Sequence, residues 1–300
     1  MSTGADAYRN SKYKLNFAIA DAKGFVDAIT PAAEKLFRTV QVLTLYDSEL
    51  TKSSLYAAFV DISKRAKPQD VFIFFYSGHG IAIQEEKKNV FYFVLPGVTV
   101  MNDPDKLKDQ GMTASDVCNL IGSIAASKQM LLVDSQAGFI PRSLLRSSMQ
   151  ASYAILTAEV RGMNPVYNRY HAEPTYLAAC CEVVDSCNSG AFLEGFAKRG
   201  AAEENALAQL QRSAGIALFS ASTDDQFATE VSTLGHGIFT YALIQGLKGD
   251  AAAKDGRITV ATLKSYIDDA VPILSARYHG SEQYPLARIT GQDFPLGVRQ

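Results

Sequence analysis

Asp70-Val-Phe-Ile-Phe-Phe-Tyr-Ser-Gly-His-Gly80 is the stretch whose reading decides the fold. From Val71 to Tyr76 it is continuously apolar, aromatic and β-branched, the composition of a strand buried on both faces inside a parallel sheet. The run breaks at Ser77-Gly78-His79-Gly80. Two glycines around a histidine predict a sharp backbone turn that leaves the imidazole without crowding neighbours. Functional groups of open α/β sheets collect at the carboxyl ends of strands, where this reading places His79. A lone histidine is more often a satisfied structural residue than a catalyst. The strand-then-Gly-His-Gly context makes His79 the first functional candidate.

Working outward, residues 1–12 read as loose polar chain, and Lys14–Ala20 as a first strand. A helix over Asp21–Leu36 carries Pro31, and Thr39–Tyr46 reads as a second strand. Leu55, Phe59 and Ile62 recur at helical spacing within residues 51–66. Beyond the Gly-His-Gly stretch, Asn89–Pro96 is a further strand. Thr113 looks like the cap of a helix reaching about Ala126, and Lys128–Asp134 is another buried strand. The segment Phe139–Asp185 breaks the rhythm, with Pro141, Pro165 and Pro174 and no βα period. A surface insertion of that length is unusual without a functional reason. The pattern returns with a helix over Ala191–Arg212, a strand over Gly215–Ala221, and helices over Gly237–Leu247 and Thr259–Ala270. Strands alternating with helices argue for a mainly parallel α/β sheet.

Composition removes several function classes. The 300 residues are 47% hydrophobic, enough for a large core, and the net charge of -2 without a basic block gives no nucleic-acid footprint. The N-terminal residues lack the apolar region of a signal peptide, and no apolar run approaches the ~18 residues a membrane span needs. Four cysteines, with Cys180 and Cys181 adjacent, match neither a disulfide framework nor a zinc site. The expectation is a cytoplasmic protein with reduced thiols and no membrane partner. Asp250 to Thr259 has the glycine and isoleucine of a calcium loop but puts Ala251 and Ala253 where ligands belong, so it reads as a turn. Neither a Walker loop nor a Gly-x-Ser-x-Gly elbow occurs. No metal or cofactor is expected.

Tyr76-Ser-Gly-His-Gly80, followed by a buried strand ending in Asp134-Ser135, resembles the caspase-like cysteine peptidases of clan CD, with bacterial caspase-family and metacaspase-type proteins the nearest likeness. Arg199-Gly-Ala-Ala-Glu-Glu204, Ser220 to Glu230, Leu234-Gly-His-Gly-Ile-Phe-Thr-Tyr241 and Gln283-Tyr-Pro285 look like the same family in the same order. The likeness covers roughly residues 14 to 297. It implies an α/β caspase-hemoglobinase-like sandwich: a mostly parallel central sheet flanked by helices. The whole chain, 1–300, would form one caspase-like domain, with 13–138 resembling a large subunit, 139–185 an insertion or linker, and 186–300 a small subunit.

The chemistry such a domain performs is attack of a thiolate on a peptide carbonyl, with an imidazole managing the proton and then protonating the leaving amine. Backbone N–H groups hold the oxyanion, and the resemblance assigns that part to Gly80 and Gly190. It also expects Asp-Ser/Thr-Cys-x-x-Gly at the end of the strand after the histidine strand. Here Gln136 stands at the expected cysteine position, and a glutamine is no nucleophile. The missing motif recurs as Asp185-Ser-Cys187-Asn-Ser-Gly190. Spacing favours the site at Gln136, and motif identity favours Cys187. The reading takes Cys187 as nucleophile and His79 as base.

The resemblance further implies that the aspartate two residues before the cysteine receives a basic P1 side chain, which makes Asp185 and Asp134 candidates, with Asp224 and Asp225 for the pocket wall. A carboxylate in a partly desolvated pocket pairs well with Arg or Lys. The expected function is a bacterial, cytoplasmic cysteine endopeptidase acting on a protein or peptide after Arg or Lys. Arg142, Arg146, Arg161 and Arg169 would make the insertion of a zymogen cleavable, with an activating protease or regulator as a further partner. The competing reading is a silent pseudo-caspase, a peptide-binding or scaffolding module with Gln136 in place of the thiol. His236, between Gly235 and Gly237, reads as a helix-start or packing residue.

Overall fold

The computed structural model describes residues 1–85, 88–101, 103–137, 215–221 and 230–300. The insertion at 139–185, the helix expected over 191–212, and Asp185, Cys187, Gly190, Asp224 and Asp225 lie outside the described residues.

The central strand is β3, Val71–Glu85. It runs parallel to β6, Lys128–Ala137, in unbroken register from Val71 opposite Lys128 to Gly80 opposite Ala137. β6 pairs in parallel with β7, Gly215–Ser220, which takes the antiparallel strand β8, Leu286–Gly291, on its far edge. On the other side β3 takes the parallel strand β1, Ser2–Gly4, and β1 takes β2, Thr44–Tyr46. Beyond Ser77, β1 gives way to β4, Lys88–Val94, which pairs antiparallel with the second half of β3. β4 is continued by the two-residue β5, Met112–Thr113. The sheet order β8-β7-β6-β3-β1-β2, with β4 and β5 antiparallel beside the second half of β3, is that of a mainly parallel α/β fold.

Successive side chains along a strand point to opposite faces, and this sheet buries both. Phe72, Phe74, Tyr76, Leu131, Val133 and Leu218 point into one core, against Leu55 and Phe59 of α2 (Lys52–Arg65) and Val117 and Ile121 of α4 (Ala114–Gly122). Phe75, Met130, Leu132, Ala217 and Phe219 point the other way. There they meet Phe25 and Ile29 of α1 (Ala18–Glu34), α5 (Ile238–Gln245) and α6 (Val260–His279). α3, Pro104–Gln110, packs Leu107 into the first core. The helices form two layers with the sheet between them, as a continuously apolar strand requires.

Local chemistry sets the helix ends. Thr51, Thr113 and Thr259 each close a capping box at the start of α2, α4 and α6, satisfying backbone N–H groups that have no intrahelical partner. The buried amide of Gln129 donates to the carbonyls of Ile121, Ile124 and Ala126, closing the end of α4.

Four expectations fail. Residues 1–12 are not loose: Ser2 and Thr3 sit buried in the sheet, their hydroxyls donating to the carbonyls of Ala22 and Phe75. Lys14–Ala20 is not a strand, because α1 begins at Ala18; the carboxylate of Asp6 accepts from the backbone N–H of Ala18 at 2.8 Å and Ile19 at 3.3 Å. A cap from so far upstream outweighs the strand-like alternation of Leu15, Phe17 and Ile19. The sharp turn expected at Gly78–Gly80 is absent too, since β3 continues straight through it. A Cβ on Gly80 would lie 2.4 Å from the Phe91 ring, so glycine serves close packing there and not a turn. Cys118, expected as a reduced core thiol, is buried on α4 and disulfide-bonded. Among the described residues no helix is long and apolar enough to cross a membrane.

The two faces are not equally tolerant of change. Phe75 is fully buried and stacks on Phe25 with ring centroids 4.8 Å apart. Phe75→Ala is expected to cost about 3–5 kcal/mol in urea unfolding. Val60→Ala, on the exposed side of α2, should stay within about 0.5 kcal/mol of the parent.

Candidate functional site

Midway along β3, where β4 replaces β1 on one edge, His79 stands opposite Val94 of β4. The side chain is buried, 8% exposed. Its Nε2 lies 2.8 Å from the backbone carbonyl of Tyr13, which follows β1 in the chain. A carbonyl oxygen can only accept, so this contact calls for the proton on Nε2 and leaves Nδ1 as the lone-pair nitrogen. That is the form a general base needs. The Tyr8 ring sits 5.0 Å from the imidazole and the Tyr13 ring 6.3 Å, edge on.

Register brings a second group alongside. In the β3–β6 ladder His79 is opposite Gln136 and Ser77 is opposite Asp134. The backbone of Gln136 therefore stands beside His79, in the position where spacing expects the nucleophile. Asp134 is 5% exposed and accepts from the hydroxyl of Thr240 on α5.

A residue that sequence reasoning missed completes this corner. Asp21, in the first turn of α1, is 3% exposed. It meets His236 Nδ1 at 2.9 Å and accepts from the backbone N–H of Gly237 at 3.1 Å and the Ser77 hydroxyl at 3.4 Å. Its signal lay in the helical period, because Asp21 occupies the buried stripe of Ala18, Ala22, Phe25 and Ile29. His236, expected only to start or pack a helix, does precede α5, and it also holds this carboxylate. Both acids crowd Gly237, where a Cβ would lie 2.9 Å from Asp134 Oδ2 and 3.3 Å from Asp21 Oδ2.

Burial, reinforced by the charge of Asp21, pushes the Asp134 carboxyl up to about 7. Burial also raises Asp21, against the opposing pull of His236. The site thus holds two desolvated acids of like charge, and no lysine or arginine among the described residues pairs with either. Removing carboxylates from water without a cation is costly, so an entering ammonium or guanidinium would find both its charge partner and relief of that cost. No group of three or more potential metal ligands occurs among the described residues.

A fold of this order, with a histidine on its third strand where one edge changes partner and an acid near the end of the next parallel one, defines a class of protein. The caspase-domain family model matches residues 3–289, and the chain belongs to that family of cysteine peptidases. A structural-genomics protein from Geobacter sulfurreducens is 20% identical, with a TM-score of 0.53 over 100% of this chain and 95% of that one, a likeness of fold. Caspase-1 from Spodoptera frugiperda is 13% identical, with a TM-score of 0.45 over 99% of this chain and 88% of its own. No curated protein matches the chain.

The raised acid has a consequence for stability. Asp134 binds its proton more tightly in the folded chain than at its ordinary value of 3.8, so its contribution is fully present below that pH and is lost as pH rises through about 7. Asp134→Asn should flatten the fall in melting temperature between pH 5 and pH 8 and melt above the parent at pH 8. Parallel curves for the two proteins would show that this carboxyl carries none of the slope.

Proposed function

We propose that the protein is a cysteine endopeptidase that hydrolyses peptide bonds after arginine or lysine. The observation that carries this reading is the pair of buried acids, Asp134, two residues along the β3–β6 ladder from the His79 row, and Asp21, against neither of which a lysine or arginine of the described residues is set. Asp134 and Asp21 hold the P1 side chain, with Asp185, Asp224 and Asp225 as further acids for the pocket. His79 Nδ1 takes the proton of the Cys187 thiol, and the thiolate attacks the scissile carbonyl carbon. Backbone N–H groups at Gly80 and Gly190 hold the oxyanion. The intermediate collapses as the imidazolium protonates the leaving amine, and water then releases the acyl group from sulfur.

The substrate is a protein or peptide. The chain is one caspase-like domain whose insertion, 139–185, is a processing linker. Cleavage at Arg142, Arg146, Arg161 or Arg169 would free a large-subunit-like 13–138 from a small-subunit-like 186–300 in a cytoplasmic, bacterial zymogen. A second reading has one specific observation in its favour: the register that sets Gln136 opposite His79. A glutamine there suits a silent module that keeps the peptide groove without the thiol.

Turnover of fluorogenic peptides with Arg, Lys or Asp at P1 separates the two. The endopeptidase reading expects cleavage after Arg and Lys, none after Asp, and complete loss in Cys187→Ala. Asp134→Asn and Asp21→Asn should each lower kcat/KM on the Arg peptide by on the order of a hundredfold, as expected for deleting one side of a buried charge pair. An inactive parent chain restored by Gln136→Cys would establish the silent module instead.

A further inference from the structure

We propose that Tyr8 and Tyr76 are positioning residues for His79, a pair of buried hydroxyls that hold its backbone N–H and carbonyl at the point where β4 takes over from β1, so that its ring meets the Tyr13 carbonyl in one orientation. The role in turnover rests on the endopeptidase reading, while the role in geometry does not.

The need for such a device follows from the topology. Up to Ser77, the edge of β3 away from β6 is held by β1: Ser77 is opposite Gly4, and its carbonyl accepts from the Ala5 N–H at 3.1 Å. From His79 onward, the same edge is held by β4. Gly78 and His79 fall at the changeover, and side chains take over there. The N–H of His79 donates to the Tyr8 hydroxyl at 2.9 Å. The Tyr76 hydroxyl donates to the carbonyls of His79 at 2.7 Å and Val94 at 3.0 Å, closing the gap between β3 and the end of β4.

Both tyrosines are large, buried side chains, 7% and 1% exposed, so neither hydroxyl contact is incidental to a surface loop. A buried phenol group needs partners, and here these include the two backbone groups of one residue. Gly78 is part of the same arrangement. A Cβ on Gly78 would lie 2.8 Å from the Tyr76 hydroxyl and 2.9 Å from that of Tyr8. Both phenols are packed in place, so an added methyl would displace them instead of being accommodated. Glycine is required at this position because two hydroxyls lie over its α-carbon. Tyr13 acts differently, reaching Nε2 through its backbone carbonyl while its own hydroxyl accepts from the Met101 N–H at 3.3 Å.

The test uses the full chain with 15N-labelled histidine; only four histidines are present, and the signal missing from His79→Gln assigns the one that matters. In the parent, His79 should show one protonated and one lone-pair ring nitrogen, widely separated in shift. In Tyr8→Phe, which keeps the ring but removes the acceptor, and in Tyr76→Phe, that separation should shrink toward the average of two tautomers. Gly78→Ala, which displaces both hydroxyls without deleting either, should do the same. Tyr13→Phe should leave His79 at its parent values, because the carbonyl remains. On the Arg peptide, Tyr8→Phe and Tyr76→Phe should lose about tenfold to a hundredfold in kcat, the scale of a small misplacement of a reacting group, with KM within about twofold. Unchanged nitrogen shifts in both Tyr8→Phe and Gly78→Ala would overturn the proposal, as would an unchanged kcat in Tyr8→Phe. If the parent chain does not cleave, the endopeptidase reading fails by itself and the nitrogen shifts still decide the positioning role.

Discussion

The parallel pairing of β3 with β6 is the constraint on which the rest of the structure depends. Side chains alternate with a period of two, so a slip of one residue would turn Phe75 and Leu132 into the wrong core and carry Asp134 away from Thr240. Two well-filled cores of opposite parity make that slip prohibitive. The same register that sorts aromatic side chains between the helix layers therefore fixes which polar groups stand together at the strand ends. Ser77 and Asp134 share a face and a row because Phe75 and Leu132 do.

At those strand ends the structure balances two unfavourable demands. Asp21 and Asp134 are out of water and close to one another, which by itself favours the protonated form of at least one. His236, Ser77, Gly237 and Thr240 offset part of this with hydrogen bonds. A fold that keeps two acids out of water and close together is less stable than one with apolar side chains in their place, and stability given up in this way commonly accompanies function.

Much of this was legible in the sequence because it depends on local pattern. The unbroken apolar run of β3, the threonine cap of α4, and the helical spacing in α2 announce themselves over a few residues. The strand at Ser2–Gly4 did not, since its buried hydroxyls are satisfied only by carbonyls of Ala22 and Phe75. The start of α1 was misplaced because its cap comes from Asp6. The glycines of the Gly-His-Gly stretch suggest a turn by their conformational freedom, whereas what requires them is that Phe91 and two tyrosine hydroxyls leave no room for a side chain. Asp134 could be singled out from its place at a strand end, but its partner Asp21 required recognising one acid within an apolar helical stripe. Family likeness supplied roles for His79 and its neighbours; it could not supply the hydrogen bonds that orient them.

The link between Asp21 and Gly237 spans 216 positions of chain. A polypeptide emerging from the ribosome presents Asp21 early, while the backbone group that receives its charge is made much later, together with α5 and Thr240. Until then, β6 lacks β7, and the acid pair has neither its helix wall nor its hydrogen-bond donors. Contacts this distant in sequence form late and slowly. This corner of the fold is therefore completed only once residues 237–240 have been made, long after His79 has left the ribosome.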